Sequence, residues 1–280
     1  MQNTSASPCA REPLPHFRRV VLGARGRDGV RLAVVVHVYY ADLATELELR
    51  LRSISEPFDL FVTTPFEAYL PGIFERFSTI SASITVHISE NRGRDIGPFI
   101  ALLRTGLLSS YLAVLKLHSK KSTYSEHGAQ WRRRIFDRLL TDLATVREVV
   151  RLFETQPIGM IGPDEYYLSN PHFWGANRTR VQQLLEAMGL AREQLQPKLG
   201  FFAGSMFWFN PRAFRPLVEL EEAVLSFESE NGAQDGTLAH AIERIFCTVS
   251  RSQGLRNTSV RLGGRELDET DTSHNRVPVL

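Results

Sequence analysis

The chain has 280 residues, 43% of them hydrophobic and 23% charged, which excludes collagenous, disulfide-framed and wholly disordered classes. Lys and Arg number 33 against 31 Asp and Glu, a net charge of +2, so nothing draws the whole molecule to nucleic acid. Any cationic function must come from local clustering. The two cysteines, Cys9 and Cys247, are too few for a metal cage and read as thiols of a reducing compartment.

Residues 1–15 read as a polar, flexible leader with no apolar signal region. Residues 263–280 read as a flexible polar tail, leaving one domain over 16–262. No uninterrupted apolar run has the length of a membrane span, and the expected location is the cytoplasm. Leu32 to Val38 predicts a buried strand, with Asp42 capping a helix whose apolar positions are Leu43, Leu47, Leu51 and Ile54. Phe58 to Thr63 and Ile84 to Ile88 predict the next two strands. Gly97 and Pro98 open a helix through Leu108, and Tyr111 to Leu117 is a fourth strand. Arg132 to Phe153 reads mostly as helix, Gly159 to Gly162 as a short strand, and Val181 to Met188 as a helix stopped by Gly189. Phe201 to Phe209 is a strand-like aromatic run, and Thr237 to Phe246 a last helix. Strand–helix alternation predicts an α/β fold with a mostly parallel sheet, whose ligand lies beyond the carboxyl ends of the strands.

Four segments carry the candidate chemistry. Glu90-Asn-Arg-Gly-Arg-Asp-Ile-Gly-Pro98 places Asn91, Arg92, Gly93, Arg94 and Asp95 at a strand-to-helix turn. The arginines suit a phosphate or nucleotide, and Asp95 suits either a helix cap or a sugar hydroxyl. A tight turn closed by an Asp–Arg pair fits equally. Between Lys116 and Arg138 there are seven Lys and Arg against two acids, a local +5, well placed for a diphosphate if the strip is not simply solvated. Lys116 and His118 alternate with Leu115 and Leu117, so one face of a buried strand carries charge and needs a partner. In the aromatic run Phe207 and Phe209 read as core, and Gly204 and Ser205 as the better site candidates. Asp235 sits at a helix start, where the dipole stabilises it or where it serves as a base. His240 and Glu243 share one helical face. No zinc spacing, nucleophile elbow or phosphate loop occurs.

Taken in order, HVYY (37–40), FDLFVTT (58–64), NRGRDIGPF (91–99), LKLHSKKS (115–122), GSMFWFNP (204–211) and DGTLAHAIERIF (235–246) resemble the rhamnan synthesis F family. These are glycosyltransferase-like proteins of bacterial surface polysaccharide and O-antigen assembly. More distantly the order is similar to the GT-A glycosyltransferases, with Asn91-Arg-Gly93, Gly204 and Asp235 at matching elements. Where those enzymes carry a metal-binding Asp-x-Asp, this chain has His118-Ser-Lys120.

The resemblance implies a GT-A-like domain that moves a deoxyhexose, rhamnose above all, from a nucleotide diphosphate to a lipid-linked or growing glycan at the inner face of the inner membrane. Other polysaccharide-assembly enzymes are implied as partners, and nucleic acid is not. Asp235 is the expected base of an inverting reaction. Lys120, Lys121 and His118 would stabilise the leaving diphosphate without a divalent metal or other cofactor. Asn91, Arg92, Gly93, Arg94 and Asp95 would hold the donor, and Gly204, Ser205, Trp208 and His240 would shape the sugar or acceptor pocket. The alternative is a non-catalytic glycan- or nucleotide-sugar-binding module of a synthase complex.

Overall fold

Short runs rich in Val, Ile, Leu and Phe become the centre of a sheet because both of their faces are covered. The structure, a computed structural model, describes residues 18–24, 29–119, 121, 128–169, 171–190, 200–230 and 232–267. The first half runs β1 (Arg18–Ala24), β2 (Leu32–His37), α1 (Ala44–Leu51), β3 (Phe58–Thr64), α2 (Leu70–Phe77), β4 (Ser83–Ile88), α3 (Ile96–Arg104) and β5 (Ala113–His118). The second runs α4 (Gly128–Leu139), α5 (Leu143–Thr155), β6 (Ile158–Ile161), β7 (Tyr167–Leu168), α6 (Arg178–Ala187), β8 (Phe201–Phe202), β9 (Phe207–Phe209), α7 (Arg215–Glu219), α8 (Leu238–Ser252) and β10 (Arg256–Thr258).

Among the described residues, eight strands form one sheet in the order β1-β4-β3-β2-β5-β9-β6-β10. Four of its seven pairings are parallel, with β1 antiparallel to β4 and β9 antiparallel to both β5 and β6. This is the expected mostly parallel α/β sheet, Rossmann-like in form. From β2 the chain winds outward through β3 and β4, then returns to lay β5 on the other side of β2. The switch point of the topology therefore lies between β2 and β5, where a crevice for ligand opens in such sheets.

Alternation along β9 divides the core. Phe207 and Phe209 join Phe99 of α3, Phe214 and Phe246 of α8 in a ring cluster with centroids 4.9–6.1 Å apart. Trp208 points to the opposite face, and its indole N–H donates to Leu139 O at the end of α4. It is wholly buried, which corrects its expected place in a sugar pocket.

Several expected elements differ. The helix expected over 132–153 is two, because the Asp142 carboxylate accepts from Thr145 N and starts α5 afresh. The aromatic run splits into β8 and β9, which belong to different sheets. Asp42 lies in a single turn ahead of α1 and caps nothing with its side chain. The helix after Asp95 ends at Arg104, short of Leu108. Packing also continues past 262: Leu267 is buried and its N–H donates to Asn257 O.

Gly159 lets α8 lie against β6, since a Cβ there would stand 2.0 Å from Ser250 Oγ and 2.8 Å from Leu255 Cβ. Gly159→Ala is expected to lower stability by about 1–3 kcal/mol in urea denaturation. Gly72→Ala, in α2 with nothing within 4 Å of the new methyl, is expected to raise it by about 0.5–1 kcal/mol. Equal effects at the two positions would contradict the close helix–sheet contact.

Candidate functional site

A lysine in the middle of a buried strand must find a counter-charge, and Lys116 finds it on α3. Lys116 is 1% exposed, and its Nζ stands 2.5 Å from Asp95 Oδ2. The same ammonium donates to Ser205 O at 2.7 Å and Ser205 Oγ at 2.8 Å. The rings of Phe99 and Phe207 flank it, with centroids at 5.2 and 5.8 Å. Asp95 occupies the N-cap position of α3, yet its carboxylate makes no capping bond. The partner takes precedence over the cap, because an unpaired buried ammonium is far costlier than an unsatisfied N–H.

Two residues along the same face of β5 lies His118, whose Nε2 is 2.7 Å from Gly204 O and 4.0 Å from Asp95 Oδ2. A carbonyl only accepts, so Nε2 carries the proton. Beside it on β2, His37 is in register with His118 and bonds Thr63 Oγ1 through Nδ1 at 2.9 Å. Burial would raise the Asp95 carboxyl, but the charges of His118 and Lys116 and the Lys116 hydrogen bond outweigh it and hold Asp95 well below the carboxylate range. Burial, with the neighbouring charges of His118 and Lys116, pushes His37 down from 6.5 to about 4 against the opposing pull of Asp95. Asp95 and Lys116 thus form a largely buried ion pair at the switch point, with His118 and a neutral His37 beside it.

Two turns close over it. Gly93 and Arg94 have φ of 69° and 55°, and Gly204 and Ser205 have φ of 93° and 53°. The ring of Phe227 fills the space beside Gly93, where a Cβ would stand 2.4 Å from it. Arg94 leans away from the cluster: its N–H donates to Glu230 Oε1 at 2.9 Å and its guanidinium to Ala233 O. Arg92 is exposed and pairs with Glu90 at 3.0 Å, and Asn91 is exposed beside it. Lys121 pairs with Asp42 at 2.7 Å and lies over the Tyr40 ring. Lys120 falls outside the described residues.

The acidic group at the start of α8 is a separate centre joined to the first. Asp235 accepts from Ala176 N at 2.9 Å, Asn177 Nδ2 at 2.6 Å and Arg244 Nη2 at 3.1 Å. Burial opposes these bonds, but together with the Arg244 charge they lower its pKa. Next to Arg244, Glu243 accepts from Gly204 N at 2.9 Å, so α8 holds the turn whose carbonyl holds His118. His240 is buried, and its Nδ1 completes a capping box with Thr237. That role faces the helix start rather than a pocket.

Of the expected site residues, the structure brings together Asp95, His118, Gly204 and Ser205, with Arg92, Gly93 and Arg94 forming the adjoining turn. Lys116, His37 and Glu243 complete the cluster and stand outside the expected set. The charged face of β5 was the signal for Lys116. His37 opened the HVYY segment of the family resemblance, but chemistry gave no further signal, because a lone histidine in an apolar run has no distinguishing pattern.

Residues 19–255 match the family model described as rhamnan synthesis protein F. The chain belongs to the rhamnan synthesis protein F family. It is also 33% identical over 228 residues to the uncharacterized protein WxcX from each of two strains of Xanthomonas campestris pv. campestris. Those residues are 81% of this chain and 32% of WxcX, so the chain spans about a third of the length of the curated relatives it matches. No solved structure matches it. Among the described residues no helix is long and apolar enough to cross a membrane.

The histidine at the switch point makes acid stability diagnostic. His37 has a folded pKa of about 4, below its ordinary 6.5, so the unfolded chain takes up the proton first. Its contribution is intact above pH 6.5 and is lost as pH falls towards 4, a loss of about 3 kcal/mol over that window. Urea denaturation at stepped pH should show this slope, and His37→Gln should remove most of it. An unchanged slope in the variant would place the titration elsewhere.

Proposed function

We propose that this chain is a glycosyltransferase domain that moves a deoxyhexose, rhamnose above all, from a nucleotide diphosphate onto a growing bacterial polysaccharide. The observation that carries the reading is a charged, buried cluster at the switch point of a Rossmann-like sheet, within the segment that matches a rhamnan synthesis family. In the turn at 91–95 the exposed Arg92 side chain is the group offered to the donor phosphates, since the N–H groups of Arg92, Arg94, Ile96 and Gly97 are engaged within the fold. Lys120, Lys121 and His118 neutralise the diphosphate as it leaves, in the place of a divalent cation. Asp95, committed to Lys116, fixes the position of that turn.

Asp235 is the proposed base, taking the proton of the acceptor hydroxyl as that oxygen attacks the anomeric carbon with inversion. Its lowered pKa is compatible with this role. As the new bond forms, the attacking oxygen becomes an oxonium far more acidic than any carboxylate, so an ionised Asp235 still accepts the proton. The acceptor is a lipid-linked or growing glycan presented at the cytoplasmic face of the membrane, and polysaccharide-assembly enzymes are the expected partners.

The test is a panel of dTDP-rhamnose, GDP-rhamnose and UDP-sugars, with EDTA and with Mg²⁺ or Mn²⁺. One donor is expected to bind selectively and to be slowly hydrolysed, undiminished by EDTA. Dependence on Mn²⁺ would overturn the metal-free site, and failure of every donor to bind would favour a glycan-binding module. Asp235→Asn should lower transfer at least 100-fold, on the order expected for losing a general base, with donor affinity within about threefold. A variant that is destabilised yet transfers normally would make Asp235 an anchor of the 175–177 turn alone.

A further inference from the structure

Lys116 joins two segments of chain that are distant in sequence and similar in geometry. On one side is Asp95, directly after Arg94 with φ of 55°. On the other is Ser205, itself at φ of 53° and directly after Gly204. Both Arg94 and Ser205 are non-glycine residues in the left-handed region, a conformation that persists only where surrounding structure enforces it. Both turns lie outside the helices and strands, 92–95 ahead of α3 and 203–206 between β8 and β9. Each also has a restraint of its own, Glu230 on Arg94 N and Glu243 of α8 on Gly204 N. The restraint that bonds both turns directly is one buried ammonium, flanked by the rings of Phe99 and Phe207.

We propose that Lys116 is a positioning residue that locks the turn at 92–95 and the turn at 203–206 into one unit, so that a ligand ordering one turn also orders the other. The lock explains why this lysine is buried in a strand while the cations meant for a ligand lie on the following segment. Its charge is consumed by Asp95, and its three donors are directed at Asp95 and Ser205. His118 is set by the same unit, because its Nε2–H is directed at Gly204 O, one residue from the Lys116 contact. A misplacement of either turn by an ångström is on the scale that costs an enzyme about 100-fold in rate.

The role in transfer rests on the donor reading above, but the lock itself is testable on the ligand-free full chain by hydrogen exchange. Ser205→Gly relieves the left-handed backbone and removes one acceptor at a position far from α3 in sequence. Faster exchange is expected at 203–206 and also at 92–96, by at least threefold in both, with β10 and α5 unchanged. Lys116→Met should show the same pattern more strongly, and Lys116→Arg should restore part of it. Faster exchange at 203–206 with 92–96 unchanged, or a uniform rise across the chain, would overturn the lock. Ser205→Gly decides the matter if Lys116→Met does not fold.

With a donor from the panel, Lys116→Arg is expected to lower kcat at least tenfold with donor KM changed less than threefold. A positioning role gives this split, whereas direct donor binding by Lys116 would raise KM instead and overturn the assignment. If no donor in the panel binds the parent protein, the donor reading fails while the exchange result still decides the lock.

Discussion

The candidate site of this protein is organised around one largely buried ion pair, Lys116 with Asp95. An ammonium and a carboxylate removed from water lose several kcal/mol of hydration each, and their attraction offsets this only with close geometry and further hydrogen bonds. The two Ser205 contacts and the flanking rings supply those conditions. Such a pair is weak evidence for stability, since well-packed apolar residues would do as well. Its value lies in geometry: it fixes the start of α3 and the turn before β9 relative to the carboxyl end of β5. The switch point between β2 and β5 then gains a rigid, charged floor.

The sheet was legible because its central strands carry local strand signals. A strand covered on both faces is a short apolar run, as Leu32–His37 is. Phe58–Thr64 and Ser83–Ile88 are recognised by their β-branched and aromatic residues, with Ile84, Val86 and Ile88 alternating with Thr85 and His87. The second half was less legible because local signals there compete. Asp142 restarts a helix inside an unbroken amphipathic stretch. The aromatic run around Trp208 satisfies strand periodicity while belonging to two sheets. The strand β10 is three residues long, and its polar Arg-Asn-Thr sequence carries no strand signature.

The candidate site was legible in its parts and not in its pairings. A charged face on a buried strand announced that β5 needed a partner, but nothing local identified Asp95, 21 residues earlier, as that partner. The Asp–Arg pairing suggested by the turn itself does not form, because Arg94 is drawn to Glu230 and Ala233. Trp208 illustrates the opposite failure: an aromatic run that follows Gly204 and Ser205 suits sugar stacking, yet strand alternation sends the Trp208 ring to the core beside Leu139. The family match spans the sheet and both turns around the switch point.

A double-mutant cycle on Lys116 and Asp95 tests this dependence most directly. Lys116→Met and Asp95→Leu should each destabilise the protein by about 3–5 kcal/mol, because each strands a buried charge. The double variant should recover much of that loss, with a coupling energy of at least about 2 kcal/mol, while the fixed geometry of the two turns is lost. Additive effects, with no recovery in the double variant, would show that the two charges do not sustain one another and would contradict the central role given to the pair.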